Sequence, residues 1–223
     1  MTRAIVLSGQ GRYEDKWHDL AGTSHAVAKA LESTGLDTAV SGLAMEVLTN
    51  LEGVDLLVVN AAGGRTDPDF DGDDAAWAPA RLGLTAFIEA GGSVLALHSS
   101  CYAFADNPAW YPFIGAEWIW GESTHPPIGL ASIQVVSDPH AIAVGVSDFS
   151  VFDERYSKLR THRPVRPYLT HSLDGTIYPL AWADQIGPAR VVFNALGHTQ
   201  ATYQCPGRLK LLQREVDWLL RRL

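Results

Sequence analysis

Apolar residues recur along this chain in two rhythms, which divide it into two halves. Ala4-Ile5-Val6-Leu7, Leu56-Leu57-Val58-Val59 and Val94-Leu95-Ala96-Leu97 are short uninterrupted apolar runs, the pattern of strands buried on both faces of a parallel sheet. Segment 37–40 is a further candidate strand. Helical periodicity lies between them. Thr23 or Ser24 can cap a helix running to about residue 33, with Ala26, Val27, Ala30 and Leu31 inward and Gly35 as its stop. Segment 77–90 predicts another helix, stopped by Gly91-Gly92. This alternation predicts a parallel sheet covered on both sides.

The second half changes rhythm. Segments 133–136, 165–170, 178–182 and 190–194 read as strands separated by turns with few helices, so part of this half is expected to be antiparallel. The chain closes on an amphipathic helix over about 208–223, with Leu212, Val216, Leu219, Leu220 and Leu223 at helical spacing. No repeat, low-complexity segment or linker interrupts the 223 residues, and a single domain over 1–223 is expected.

Composition narrows the function. With 47% hydrophobic and 19% charged residues the chain has ample core and no mark of disorder. A net charge of −8 without a Lys/Arg-rich run argues against a nucleic-acid partner. The first apolar run is too short for a signal segment or a membrane span, so a cytoplasmic protein with no membrane partner is expected. Five aspartates between Gly63 and Asp74 alternate in part like a calcium loop but lack the closing glutamate; they read as a solvated loop.

The chemistry is concentrated in histidines. His18 follows the first strand, His98 the fourth and His198 the strand at 190–194. If these strands are parallel neighbours, three imidazoles converge at the carboxyl rim of the sheet, where open α/β folds bind ligands. Many hydrolases and amidotransferases carry a Ser or Cys nucleophile at a strand-to-helix turn like the one ending in Leu97-His98. Imidazole is suited to proton transfer near neutral pH and is also the commonest metal ligand. Asp153-Glu154-Arg155-Tyr156 adds carboxylates that can orient an imidazole, act as base or complete a metal site. A site for zinc or another divalent metal among His18, His98, His125, His198 and Glu154 stays open, although no His-x-x-x-His spacing announces it. Cys101, three residues past His98, reads as a small buried filler rather than a nucleophile. The aromatic belt Tyr102, Trp110, Tyr111, Trp118 and Trp120 can stack on sugar faces; core packing or a homodimer interface are its alternatives.

Ordered motifs run through nearly the whole chain: Trp17-His18-Asp19, Gly91-Gly92 leading to Leu97-His98, Trp110-Tyr111-Pro112-Phe113-Ile114-Gly115-Ala116, His125-Pro126, Asp138-Pro139-His140, Asp153-Glu154-Arg155-Tyr156, Tyr178-Pro179-Leu180-Ala181-Trp182, and Ala195-Leu196-Gly197-His198 with Tyr203 beyond. In these the chain resembles the ThuA-like, trehalose-utilisation family, related to class I glutamine amidotransferases. The resemblance implies a flavodoxin-like three-layer α/β sandwich. It also implies that His98 stands where those relatives keep a cysteine nucleophile, so glutaminase chemistry is not expected. Ser123-Thr124-His125-Pro126 departs from the Gly-His-Pro usual in the family, so substrate choice does not transfer. The expectation is a carbohydrate-processing enzyme acting on a sugar or keto-sugar by isomerisation, elimination or hydrolysis. His98 and His198 would be acid and base and Glu154 the orienter or second base, with His18, Tyr102, Tyr111, His125 and Tyr156 lining the pocket. The alternative is a non-catalytic sugar-binding or regulatory module.

Overall fold

In the computed structural model, which describes residues 2–137 and 140–223, the apolar runs form the centre of a nine-stranded sheet. The first half runs β1 (Arg3–Ser8), α1 (Leu20–Glu32), β2 (Asp37–Gly42), α2 (Met45–Leu48), β3 (Leu56–Asn60), α3 (Pro68–Asp71), α4 (Ala78–Glu89) and β4 (Ser93–Leu97). The second adds α5 (Trp110–Ile114), β5 (Ala116–Glu117), β6 (Gly129–Val135), β7 (Phe149–Asp153), β8 (Arg160–Thr161), β9 (Pro167–Leu173), β10 (Thr176–Ile186), β11 (Ala189–Asn194) and α6 (Pro206–Leu219). The sheet order is β2-β1-β3-β4-β11-β10-β9-β6-β7, and β5 pairs with β8 in a separate ladder. From β2 to β11 every pairing is parallel; beyond β11 every pairing is antiparallel. This is the flavodoxin-like α/β sandwich with an antiparallel extension in its second half.

All residues of β3 and β4 are buried, as their continuous apolar runs predict. Each buried Leu or Val of these strands contributes about 1.5–3 kcal/mol by leaving water. Helices α1 and α6 pack against each other and against β1, β4 and β11. A buried ion pair within α6 is tied to the sheet by hydrogen bonds from β9 and β11. Arg208 Nη1 lies 3.0 Å from Glu215 Oε2, and both side chains are fully enclosed. Glu215 Oε1 also accepts from Tyr168 Oη at 2.8 Å and from Asn194 Nδ2. Asn194 Oδ1 in turn accepts the Leu196 N–H at 3.0 Å, which ties the pair to the loop after β11.

Several boundaries differ from the sequence reading. Helix α1 starts at Leu20 because Asp19, not Thr23 or Ser24, caps it, accepting the Gly22 N–H at 2.9 Å. Thr23 instead turns its hydroxyl back to the Asp19 carbonyl. The final helix ends at Leu219. The aspartate-rich loop contains the one-turn helix α3, capped by Asp67 with proline in its first turn. Strand β7 was not expected; its alternating burial ends on the buried Asp153, a residue type that reads as turn. Within the Asp138-Pro139-His140 motif, the first two residues lie outside the described residues. Among the described residues no helix is long and apolar enough to cross a membrane.

Candidate active site

The carboxyl ends of β1, β4 and β11 share one rim of the sheet, and the loops leaving them deliver three imidazoles to one place. His98 leaves β4 with φ at +43°, in the left-handed region that a non-glycine residue occupies only under constraint. That is the backbone of a strand-to-helix elbow, followed by a 3₁₀ turn over His98–Tyr102. Gly197 (φ +148°) lets the loop after β11 lie flat over the elbow; a Cβ there would press on Tyr203 Oη and His98 Cβ.

Each imidazole is fixed by its bonding. His98 is buried, and its Nδ1 donates to the Ala195 carbonyl at 2.7 Å. Its Nε2 faces His18 Nε2 at 3.1 Å, His198 Nδ1 at 3.3 Å and Tyr156 Oη at 2.9 Å. Tyr156 also stacks on the His98 ring, with centroids 4.3 Å apart. His18 Nδ1 lies 2.9 Å from both oxygens of Asp15, which also accepts Tyr102 Oη at 2.7 Å. Glu154 Oε2 reaches His198 Nδ1 at 3.2 Å and His98 Nε2 at 3.6 Å, while its Oε1 lies 3.4 Å from His125 Nδ1.

Asp153 holds two of these groups together from behind. Its buried carboxylate accepts the backbone N–H of Glu154 at 2.8 Å, of His198 at 3.1 Å and of Gly197 at 2.9 Å, and the Thr202 hydroxyl at 2.8 Å. Each oxygen accepts two of these donors, so an amide at this position would turn an NH₂ toward a pair of them. Asp153→Asn is therefore expected to cost about 1–3 kcal/mol of stability, read as a lowered urea midpoint with an unchanged slope.

The electrostatics match. Burial raises the Asp15 carboxyl, but hydrogen bonds from His18 and Tyr102 outweigh it and hold it down at about 2. Burial likewise opposes ionised Glu154, yet His198 and His98 hold it well below the usual carboxylate range. His18 is pushed down by burial. Burial also lowers His198, but contact with Glu154 outweighs it and leaves the ring raised. Burial pushes Asp153, Tyr156 and the Cys101 thiol up. Cys101 is fully enclosed, as a filler would be.

Above the cluster opens a cavity of about 330 Å³. His18, His125, Glu154, Tyr156 and His198 form its polar floor; Tyr102, Trp118, Trp120 and Trp17 form its walls. Trp17 and Trp120 stand at the mouth, 59% and 65% exposed, with ring centroids 6.3 Å apart. A larger hollow of about 650 Å³ beside Gly91, Gly92 and Leu219 is lined by no histidine.

Of the residues expected from sequence, His18, Tyr102, His125, Glu154, Tyr156 and His198 line the cavity, and His98 sits directly behind them. Tyr111 does not line it; its ring stacks on His162 at 6.0 Å, and that histidine pairs with Glu117. Trp17, at the mouth, and Asp15 are residues the sequence reading did not place in the site. The signal for Asp15 was its place three residues before His18, within reach of that side chain.

A family model described as ThuA, trehalose utilisation, matches residues 3–219. The fold is similar to a ThuA-like protein of Parabacteroides merdae (TM-score 0.79, 16% identity, covering 98% of this chain and 90% of that one). It is also similar to a ThuA-like protein of Bacteroides uniformis (TM-score 0.72, 12% identity, covering 98% and 91%). PurLQS from Thermotoga maritima shares the architecture at TM-score 0.60 and 11% identity, over 98% of this chain and 99% of that one. None of the curated proteins matches the chain.

Proposed function

The chain belongs to the ThuA, trehalose-utilisation family, and from that premise we propose that it is an enzyme that processes a sugar or keto-sugar in the aromatic-walled cavity. The observation supporting this most strongly is that three imidazoles and one carboxylate, from four separated segments, meet at one end of that cavity, His18, His198 and Glu154 lining it and His98 directly behind. Flat apolar walls suit the CH faces of a pyranose, and a polar floor suits its oxygens.

In this reading the floor at His18, His198 and Tyr156 holds a substrate oxygen. His125, oriented by Glu154 Oε1, takes a proton from the hydroxyl-bearing carbon beside a carbonyl to give an enediol, the floor residues pass the hydroxyl proton to the former carbonyl oxygen, and His125 returns its proton to the former carbonyl carbon, giving isomerisation. Loss of a leaving group from the same enol would give elimination instead. His98, enclosed behind the floor, acts through its neighbours.

The test is conversion of a panel of keto-disaccharides and their parent sugars, followed by NMR in deuterated water. Deuterium uptake beside the carbonyl is expected, and His125→Gln should slow it about 10²–10⁴-fold. Binding of a sugar with neither exchange nor conversion would replace this reading with the sugar-binding module.

A further inference from the structure

We propose that Nε2 of His18, Nε2 of His98, Nδ1 of His198 and Oε2 of Glu154 hold a divalent cation of the zinc class at the floor of the cavity. The proposal stands on the residues' own geometry. It deepens the enzyme reading above by naming the group that would polarise the substrate oxygen.

The protons come first. A backbone carbonyl only accepts, so the 2.7 Å contact with Ala195 places the His98 proton on Nδ1. The Asp15 carboxylate also only accepts, so the His18 proton is likewise on Nδ1. Each neutral ring then presents a lone pair at Nε2, and the two nitrogens face each other at 3.1 Å, with Tyr156 Oη also 2.9 Å from His98 Nε2. His198 Nδ1 and Glu154 Oε2 lie beside this pair, 3.2 Å from each other, and would give up the proton between them to a metal. A proton on one ring relieves the contact between His18 and His98. A cation held by all four ligand atoms relieves it as well.

The spacing fits. Four ligands about 2.0–2.2 Å from a tetrahedral zinc ion lie about 3.3–3.6 Å apart. Four of the six edges are 3.1 Å (His18 to His98), 3.3 Å (His98 to His198), 3.2 Å (His198 to Glu154) and 3.6 Å (His98 to Glu154). All four candidate ligand atoms lie within 4.8 Å of one another. Imidazole nitrogen with one carboxylate oxygen is a donor set for zinc and the neighbouring first-row metals. The outer partners are those that orient metal-bound histidines: a carboxylate on His18 and a carbonyl on His98. The cavity reaches the cluster at His18, His198 and Glu154, so a substrate oxygen can approach from that side.

The test is metal content of the full-length chain purified without chelator, followed by cobalt(II) titration of chelator-stripped protein. We expect about one transition-metal ion per chain and the visible spectrum of cobalt in a four- or five-coordinate nitrogen–oxygen site. His98→Ala should abolish uptake. Because His98 is buried, the near-isosteric Asp15→Asn, which alters only the partner of His18, is the second variant, expected to weaken cobalt binding about 10- to 100-fold. A stripped protein that takes up no cobalt, or a folded His98→Ala that binds it unchanged, overturns the metal centre. Sugar turnover by metal-free protein would overturn the metal and leave the enzyme reading intact. A bound metal without turnover on any sugar would support the metal and overturn the enzyme reading.

Discussion

Glu154→Gln is expected to lower kcat/KM on the responsive sugar by about 10³-fold, the middle of the range for loss of acid–base machinery. Glu154 is the carboxylate that touches three of the site's imidazoles: His98, His125 and His198. One of its oxygens faces the cluster and the other faces His125. An amide can present an oxygen to one side only and must offer an NH₂ to the other, and it carries no charge to stabilise the imidazolium form of His198 or to balance a cation. The loss corresponds to about 4 kcal/mol of transition-state stabilisation. It should appear mainly in kcat, with KM little changed, because the tryptophan and tyrosine walls are untouched. Steady-state kinetics beside a thermal melt check it. A variant that melts like the parent and turns over within tenfold of it would remove Glu154 from the chemistry.

Glu215→Ala is expected to destabilise the fold by about 3–5 kcal/mol, because it leaves the Arg208 guanidinium buried without its counter-charge. Tyr168 and Asn194 lose their acceptor in the same step. Urea unfolding followed by tryptophan fluorescence measures the cost. The paired replacement Arg208→Met with Glu215→Leu should recover much of it, since apolar residues of similar volume often replace a buried ion pair without penalty. A single variant within about 1 kcal/mol of the parent would show that water already reaches the pair.

The central sheet was legible because β1, β3 and β4 are buried on both faces and so carry unbroken apolar runs. His18, His98 and His198 could be placed on one rim because each follows such a strand. The antiparallel half was harder. β7 alternates, and Phe152 on its open face is exposed while its end residue Asp153 is buried, which inverts the usual signs of strand and turn. Tyr111 was misplaced because an aromatic belt in sequence does not say which rings turn inward; Trp118 and Trp120 face the cavity, whereas Tyr111 meets His162. The bond from Asp15 to His18 is local and could have been read from their spacing, but the bonds from Tyr102 to Asp15 and from Gly197 and His198 to Asp153 cross chain separations that no local pattern encodes.

The place of β11 in the sheet has a consequence in time. It is the last strand made, yet it inserts between β4 and β10 in the middle of the order. While the ribosome is still delivering the second half, β4 must wait with one open edge, and an open apolar edge invites pairing with the wrong strand. Closing it depends on contacts between residues nearly a hundred positions apart, Val191 with Val94 and Phe193 with Ala96, which makes for slow folding. Because His198 rides on the loop just after β11, the chemical centre assembles only when that edge closes.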